Sequence, residues 1–408
     1  MVKNSFNHMS STPTARPYLL INAVQNYAWG MRNESAFIAR LLDLEPVQDE
    51  PYAELWMGVH PNGPSSLIDP ERGVVGMAQW LSESPEERLS LKRSKVLSNR
   101  LPYLFKVLSA DRMLSIQTHP NREQAISLHA QDPGHYPDNN HKPEIAIAID
   151  SLDALVGFIS DEAFNETLRR LPDLADLLNT KPGNARLKPG VLTLLNLLEH
   201  DPEKLYGAIE SLCKQLGVKE DRTENENLLL QQAAVYGQSD IGLIFILLMN
   251  RVKVEAGHAL FLGPGVPHAY LRGNIIECMA NSDNVVRLGL TPKFCDPGAL
   301  REILDFTPSD VHVTAETDGQ LTEYMTPTDE FRVKSLALDA GESYDFQNRD
   351  ELALFLVLQG EIKLHWCGDE STCCSIFSRG DAFVTPANLS EFSIQTRSDS
   401  LVYLVEMP

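Results

Sequence analysis

This sequence of 408 residues is poor in cysteine. Its six cysteines form no Cys-x-x-Cys pair, and the adjacent Cys373 and Cys374 do not make an ordinary disulfide. This usage excludes a disulfide scaffold and indicates reduced thiols. The first residues stay polar as far as Pro17, without the apolar core of a signal peptide. We therefore expect a cytoplasmic protein.

Long apolar runs are also missing. The longest near-continuous run, Ile241 to Met249, is far short of the roughly 20 residues that span a bilayer. It predicts a buried helix, and we expect no membrane association. Apolar residues still make up 43% of the chain and charged residues 22%, as in ordinary globular proteins. At roughly 150 residues per domain, this length suggests two or three domains.

Positive charge is the third scarcity. The 35 lysines and arginines face 56 aspartates and glutamates, which gives a net charge of -21. A chain so acidic is a poor general binder of nucleic acid or of anionic membranes. An anionic ligand would therefore need a local basic pocket, formed against the overall field of the protein.

Strand and helix patterns divide the chain into three parts. Residues from about 18 to 149 show short strand-like runs between turns rich in Gly, Pro and Asn. From about 151 to 251, Leu, Ala, Glu and Gln recur at helical spacing, and strand patterns return from about 252. We predict a mainly β protein with an α-helical domain beside or inserted into the β-rich body. The predicted strands include Leu101 to Leu108, Leu114 to His119 and Glu144 to Ile149, and the predicted helices are Asp161 to Leu171, Val191 to Leu198, Pro202 to Leu216 and Asn225 to Met249.

A faint repeat marks the later strands. Gly257 precedes the stretch from Gly263 to His268 by the same offset at which Gly380 precedes the stretch from Pro386 to Glu391. Both copies resemble the second motif of the cupin family of jelly-roll barrels. The resemblance implies two barrels. Because the second copy has Glu in place of the motif's histidine, we expect its barrel to be degenerate and without metal.

Polar side chains in two predicted strands indicate a metal site. In Leu114 to His119, strand alternation puts Gln117 and His119 on one face, although a solvated outer strand would look the same. Glu144 is the stronger indication of a metal site, because both faces of its predicted strand are apolar, so its carboxylate would be buried. A buried carboxylate is costly unless it is paired or bound to a metal. Together with His268, these residues offer two oxygens and two imidazole nitrogens, an acceptable set for Zn²⁺.

Seven motifs spread along the chain resemble those of the type I phosphomannose isomerases. They are QNYAWG (25–30), ELWMG (54–58), HPNGPS (60–65), QTHPN (117–121), HKPE (141–144), GVPHAY (265–270) and SDNVVRLGLTPK (282–293). The resemblance implies an enzyme with one Zn²⁺ per chain that interconverts mannose 6-phosphate and fructose 6-phosphate, toward GDP-mannose. By position, Gln117, His119, Glu144 and His268 match the zinc ligands of the family, and Arg287 matches its catalytic arginine.

The resemblance also sets the expected division of the chain. Residues 1–150 and 252–320 would form a discontinuous catalytic cupin domain, with the helical domain at 151–251 between them. Residues 321–408 would form the C-terminal cupin-like domain without metal. The expected partner is a small sugar phosphate, and we expect a monomer because no interface pattern is visible.

An aldose–ketose isomerase must move a proton between two adjacent carbons and stabilise the enediolate between them. Lys142 and Glu277 are equal candidates for the proton transfer, and His141 follows them. Glu277 is a charge in an apolar strand, where burial would raise its pKa. Lys142 shares the face of Glu144 if the chain is extended there. The sequence does not decide between them.

Substrate binding requires cations for the phosphate. We assign Arg287 to the enediolate or the substrate, and Lys293 with Ser115 to the phosphate end. Further candidate substrate contacts are Asp283, Tyr270 and Trp29.

Two other functions remain compatible with the sequence. His119, Glu144 and His268 alone would suit a non-haem Fe(II) oxygenase of the cupin superfamily, but Gln117 would fill one of the open positions that such a site needs. The other alternative is a non-catalytic, sugar-binding cupin.

Overall fold

The computed structural model describes residues 15–96, 100–307, 311–347, 349–368 and 372–408. In these ranges the strands outnumber the helices, and half of the α-helices lie in one continuous block in the middle of the chain. The predicted class, mainly β with an α-helical region, is confirmed.

The strands of the described ranges run mostly antiparallel to their neighbours. They are β1 (Tyr18–Ile21), β2 (Ala23–Gln25), β3 (Glu54–Met57), β4 (Ser66–Asp69), β5 (Gly73–Gly76), β6 (Tyr103–Ala110), β7 (Ile116–Thr118), β8 (Glu144–Phe158), β9 (Met249–Glu255), β10 (Ala259–Leu262), β11 (His268–Ala280), β12 (Val286–Gly289), β13 (Ala315–Asp318), β14 (Leu321–Tyr324), β15 (Arg332–Leu338), β16 (Ser343–Phe346), β17 (Ala353–Gln359), β18 (Glu361–Cys367), β19 (Thr372–Ser378), β20 (Ala382–Thr385), β21 (Phe392–Thr396) and β22 (Ser400–Glu406).

The helices begin before the central block. They are α1 (Phe37–Leu41), α2 (Met77–Glu83), α3 (Pro85–Leu89), α4 (Leu91–Val96), α5 (Arg122–Gln131), α6 (Asp161–Arg170), α7 (Pro172–Leu177), α8 (Leu187–His200), α9 (Pro202–Val218), α10 (Glu224–Tyr236), α11 (Gly242–Leu248) and α12 (Pro297–Ile303). The sequence patterns before residue 150 indicated mostly strands and turns, so α1 to α5 were not expected. Among the described residues, no helix combines the length and the apolar character that crossing a membrane requires.

The first large sheet has the strand order β10-β8-β11-β6-β3-β2. The long strand β11 lies near its middle and pairs with β8 on one side and with β6 on the other. The short strand β7 joins the start of β11 to β12, and β9 pairs with β8. We call this the catalytic sheet, because the predicted site residues from Lys142 to Arg287 lie on or beside its strands.

Two further sheets face each other in the C-terminal part of the chain. One has the order β13-β14-β15-β22-β17-β20-β1-β4-β5, and the other has the order β16-β21-β18-β19. Their inner faces carry one apolar core, in which the rings of Phe377 and Phe383 stack across the gap with centroids 4.0 Å apart. This is the face-to-face packing of a jelly roll.

Strands from the N-terminal part complete the larger C-terminal sheet. In β1, Leu19 pairs with Phe383 of β20, and Leu20 of the same strand pairs with Leu67 of β4. A single apolar cluster also contains side chains from both ends of the chain. The division into domains at 150, 251 and 320 stays a prediction, and the structure adds that its first and last parts are joined by strand pairing.

The helical block forms between β8 and β9. Strand β8 continues through residue 150 as far as Phe158, so the first helix of the block begins at Asp161. The helical pattern from 225 to 249 forms two helices, because α10 ends at Gly237, which has a positive φ of 85°. Every residue of α11 is buried, which confirms the buried helix predicted for the longest apolar run.

The two copies of the faint repeat have the same local structure. Gly257 and Gly380 both have positive φ angles, of 80° and 91°, and each leads into a short strand, β10 or β20. A turn follows each strand, and β11 or β21 comes next. The order glycine, strand, turn and strand that the sequence suggested is therefore present twice.

Candidate metal centre and active site

Three strands bring the predicted metal ligands together. His119 directly follows β7, Glu144 begins β8 and His268 begins β11. His268 pairs with Gln117 of β7, and Glu144 pairs with Met279 near the other end of β11. His119, Glu144 and His268 are buried, and one ligand atom from each lies within 4.8 Å of the other two.

The spacing of these atoms fits a single metal ion. His119 Nε2 lies 3.3 Å from Glu144 Oε1, and His268 Nε2 lies 3.5 Å from Glu144 Oε2. Two ligands at roughly 2.1 Å from a tetrahedral Zn²⁺ would be about 3.4 Å apart. Within the described part of the chain, His119 Nε2 and Glu144 Oε2 have no hydrogen-bond partner. Buried polar atoms left in this way are expected where an ion binds.

The other nitrogen of each imidazole is held by a backbone carbonyl. His119 Nδ1 lies 2.9 Å from the carbonyl oxygen of Asn284, and His268 Nδ1 lies 3.0 Å from that of Val266. A carbonyl can only accept, so both rings carry their proton on Nδ1 and present the lone pair of Nε2. Burial lowers the pKa of His119 and lowers that of His268 to about 4, which keeps both rings neutral near pH 7.

Glu144 is kept ionised by its neighbours. Burial alone would raise its pKa, but Lys142 and then the two histidines outweigh burial and hold the pKa well below its usual range. Lys142 Nζ donates to Glu144 Oε1 at 2.9 Å. The site therefore holds one anionic oxygen ligand and two neutral nitrogen ligands, a donor set suited to Zn²⁺.

The side chain of Gln117, on β7, also lies beside the proposed metal ligands. Its Nε2 lies 3.4 Å from His268 Nε2, so its amide group stands beside the proposed ligands. On the other side of β7, Arg287 of β12 pairs with Gln117 in the backbone register. The predicted fourth ligand and the predicted catalytic arginine are thus neighbours across one strand pair.

A cavity of about 930 Å³ opens beside these residues. His119 and His268 lie beneath its wall, since they are almost completely buried. Among the remaining predicted site residues, His141 does not line it, whereas all the others do. They are Trp29, Ser115, Gln117, Lys142, Glu144, Tyr270, Glu277, Asp283, Arg287 and Lys293.

The structure adds Lys106, which the sequence analysis missed. Lys106 Nζ donates to Glu277 Oε2 at 2.9 Å, and the Tyr270 hydroxyl donates to Glu277 Oε1 at 3.2 Å. Glu54 Oε2 lies 3.7 Å from the same ammonium, which also sits 5.4 Å from the centre of the Trp56 ring. The signal that could have identified Lys106 is its charge inside an otherwise apolar strand, the same signal that singled out Glu277.

Burial and pairing set the charges of this group. Burial raises the pKa of Glu277 above the ordinary value, and the opposing effect of Lys106 does not cancel it. For Lys106, burial alone would lower the pKa, but Glu277, Glu54 and Glu144 raise it above that of a free lysine. Lys106 is therefore a permanent cation, whereas Glu277 is a carboxylate that takes up a proton more readily than a surface glutamate.

Other predicted residues lie at the rim. Asp283 Oδ1 is 3.3 Å from His60 Nε2, and both side chains line the cavity. Trp29 stacks on Tyr27 with ring centroids 5.8 Å apart. Burial lowers the pKa of Arg287, but an arginine remains charged at any physiological pH.

The helical block contributes part of the wall as well. The side chains that reach the cavity from α10 are Leu228, Gln231, Gln232, Val235 and Tyr236. The sequence analysis assigned no site residue to this block. An amphipathic helix shows which of its faces is apolar, but it does not show which neighbouring element that face meets.

Comparisons with known proteins agree with this site. Residues 18–160 match the family model of the phosphomannose isomerase type I catalytic domain. The mannose-6-phosphate isomerase of Mus musculus is 36% identical over 382 residues, which cover 85% of this chain and 88% of that protein. The Homo sapiens enzyme is 35% identical over the same extent.

The chain belongs to the type I phosphomannose isomerase family. Crystal structures of single-residue mutants of phosphomannose isomerase from Salmonella typhimurium superpose with TM-scores of 0.82 to 0.83 at 28% identity, over 96% of this chain and 100% of theirs. A mannose 6-phosphate isomerase bound with zinc and yttrium is 29% identical, with a TM-score of 0.82. The family assignment favours an isomerase over the oxygenase and the sugar-binding alternatives.

Proposed function

We propose that this protein is a zinc-dependent isomerase that interconverts D-mannose 6-phosphate and D-fructose 6-phosphate. The observation that carries the proposal is the buried set of His119, Glu144 and His268 beside a cavity with cationic side chains. The family and the zinc-bound relative support the same reaction. Its product would feed the synthesis of GDP-mannose.

One Zn²⁺ would be held by His119, Glu144 and His268, with the Gln117 amide as the fourth ligand. When bound, Zn²⁺ supplies a Lewis acid that favours negative charge on the sugar oxygens at C1 and C2. Hydrogen bonds within the protein orient the ligand side chains independently of the ion. The carbonyls of Asn284 and Val266 orient the two imidazoles, and Lys142 holds the carboxylate of Glu144 in place.

Glu277 is our choice for the proton transfer between C2 and C1. Its carboxylate takes the proton from C2 of the open-chain aldose and returns it to C1, while the hydroxyl proton of O2 is transferred to O1, which leaves a hydroxyl group at C1 and a ketone at C2. A raised pKa brings the carboxyl group closer to the operating pH, where a general base is most effective. Lys106 and Tyr270 fix its orientation.

Lys142 and Arg287 would stabilise the negative charge that develops on the enediolate. The Lys142 ammonium donates to Glu144, and an ammonium has no lone pair with which to take a proton. It would therefore act as a hydrogen-bond donor beside the enediolate. Arg287, which lines the same cavity, would bind the enediolate, because its guanidinium can donate to two oxygens at once.

The phosphate end would lie toward Lys293 and Ser115, which line the same cavity. Asp283, Trp29 and Tyr270 would contact the sugar or close the site around it. We further propose a monomer that acts in the cytoplasm and does not bind nucleic acid. Size-exclusion chromatography with light scattering would test the monomer, and a dimer mass would overturn it.

The reaction itself is tested by an assay for fructose 6-phosphate formed from mannose 6-phosphate. We expect turnover with zinc, loss of turnover after a chelator, and recovery when zinc is added back. Turnover should be equal with and without oxygen, which separates an isomerase from an oxygenase. A zinc-loaded, folded protein that forms no fructose 6-phosphate would contradict the proposal.

A further inference from the structure

A carboxylate from the C-terminal part of the chain reaches the catalytic sheet. Glu330 lies in the connection between β14 and β15. Its Oε1 accepts a hydrogen bond from His141 Nε2 at 2.6 Å and another from Arg122 Nη2 at 2.6 Å. The Thr328 hydroxyl donates to its Oε2. The side chain of Glu330 is only 13% exposed, so its charge-assisted contact with His141 is partly buried, whereas Arg122 reaches it from the exposed surface.

The two long-range donors sit next to the metal site. Arg122 is the first residue of α5 and follows His119 by three positions. His141 precedes Glu144 by three positions and is the immediate neighbour of Lys142. One carboxylate therefore joins the two segments that carry the predicted ligands His119 and Glu144.

The backbone beside His141 is also held from the catalytic sheet. The carbonyl of Asn140 accepts from Asn284 Nδ2 at 2.9 Å and from the Ser282 hydroxyl at 3.1 Å. These contacts place the main chain, but they do not orient the imidazole of His141. The imidazole is contacted instead by Glu330 Oε1 at 2.6 Å and by Arg122 Nη2, which lies 3.1 Å from the same His141 Nε2.

The charge of Glu330 is well suited to this contact. Burial alone would raise its pKa, but the hydrogen bonds from His141 and Thr328 and the charge of Arg122 lower it to about 2. The carboxylate is thus ionised throughout the range in which the enzyme would work. Because it can only accept, it selects the form of His141 that carries a proton on Nε2.

We propose that Glu330 is a positioning residue for the isomerase site, which holds His141, and through it Lys142, in place against Glu144. The inference rests on the proposed function and extends it to a residue outside the catalytic sheet. Neither Glu330 nor His141 is among the described residues that line the cavity, so neither is required to touch the substrate. The C-terminal part of the chain, which we expect to bind no metal, thereby contributes to catalysis.

The first test is the variant Glu330→Gln, which keeps the size of the side chain and removes its charge. We expect kcat to fall by roughly 10- to 100-fold, as for other residues that orient catalytic groups, with KM within about 2-fold because the cavity wall is intact. Glu330→Asp, which keeps the charge, should recover part of the lost kcat. The matched control is Glu323→Gln, which removes an ion pair with Arg332 and Lys334 on β14 and β15.

The second test is a double-mutant cycle with His141→Gln. If Glu330 acts through His141, Glu330→Gln should lower kcat by less than about 2-fold in the His141→Gln background. Independent, multiplying losses would overturn the inference, as would unchanged kcat in Glu330→Gln or an equal loss in Glu323→Gln. The wild type is assayed in parallel, since its failure to turn over would refute the proposed function instead.

Discussion

Lys106 Nζ donates to Glu277 Oε2 at 2.9 Å from the neighbouring strand of the catalytic sheet. The two residues are direct partners in the pairing of β6 with β11, so their side chains leave the same face of the sheet side by side. Both side chains are almost fully buried, and they face the cavity. The ammonium thereby opposes the rise in the pKa of Glu277 that burial causes, without cancelling it.

We predict that Lys106→Met lowers kcat and moves the acidic limb of its pH profile upward. Lys106 lowers the pKa of Glu277, so removing it raises that pKa further and leaves less of the base ionised at a given pH. We expect kcat at pH 7 to fall by about 100-fold or more, the usual scale of general-base catalysis. The measurement is kcat as a function of pH.

The control for this variant is Lys334→Met, which breaks the ion pair with Glu406 in the C-terminal sheet. Its pH profile should match that of the wild type. An unchanged acidic limb in Lys106→Met would separate Glu277 from the proton transfer.

A second prediction concerns Arg287. Replacing Arg287 with Ala should cut turnover by on the order of 100-fold or more, as the loss of a transition-state donor commonly does. Arg169→Ala, which removes an exposed partner of Glu166 on α6, should leave turnover unchanged. Near-wild-type kcat/KM in the Arg287 variant would remove this residue from the mechanism.

Metal removal should affect stability as well as activity. An ion that binds only the folded protein stabilises it by about 2.7 kcal/mol when its concentration is a hundred times its Kd. We therefore expect a chelator to lower the apparent Tm, and elemental analysis to find one zinc per chain. Glu144→Gln should lose most of its zinc, whereas His129→Gln, whose imidazole contacts the carbonyl of Tyr136, should keep it. Equal zinc content in both variants would argue against the proposed centre.

Gly289 should be essential for the position of β12. Its φ is +149°, and a Cβ there would lie 2.4 Å from the backbone nitrogen of Gly242 in α11. Gly289→Ala should destabilise the fold by at least about 2 kcal/mol, because backbone strain adds to the clash. Gly207→Ala on α9 is the control, since its Cβ would meet open space and should stabilise the helix by about 0.5–1 kcal/mol. Denaturant unfolding of both variants measures the difference, and equal stabilities would contradict the prediction.

Much of the site was predictable because its residues interrupt apolar patterns. Glu144 and Glu277 stand out as charges in apolar strands, and His268 ends a recognisable turn motif. The buried helix α11 was predictable for a different reason, since its apolar run is nearly continuous and too short to span a membrane.

The contact between Tyr270 and Glu277 could not be predicted from the residue pattern of β11 alone. The two residues are seven positions apart on β11, and strict alternation would put them on opposite faces. The pairing of β11 with β8 shifts register between Tyr270 and Arg272, which reverses the alternation and turns both side chains toward the cavity. A bulge of this kind depends on the partner strand, so the pattern of one strand does not reveal it.

The role proposed for Glu330 could not be predicted from the sequence either, because its partners lie far away along the chain. Nothing near Glu330 in the sequence distinguishes it from the many other acidic residues of this chain. Its environment comes from Arg122 and His141, which are far away in the sequence. Only the folded arrangement shows that this carboxylate is partly buried between these two side chains.

The pairing of β1 with β20 also bears on how the protein is made. Leu19 leaves the ribosome long before its partner Phe383 has been synthesised. Until then, the backbone groups of β1 that bond to β20 in the folded protein have no partner strand. The larger C-terminal sheet is completed only after nearly the whole chain has emerged, which favours late, slow folding through non-local contacts. A nascent chain that lacks β20 to β22 therefore exposes the edge of β1 that β20 covers in the folded protein.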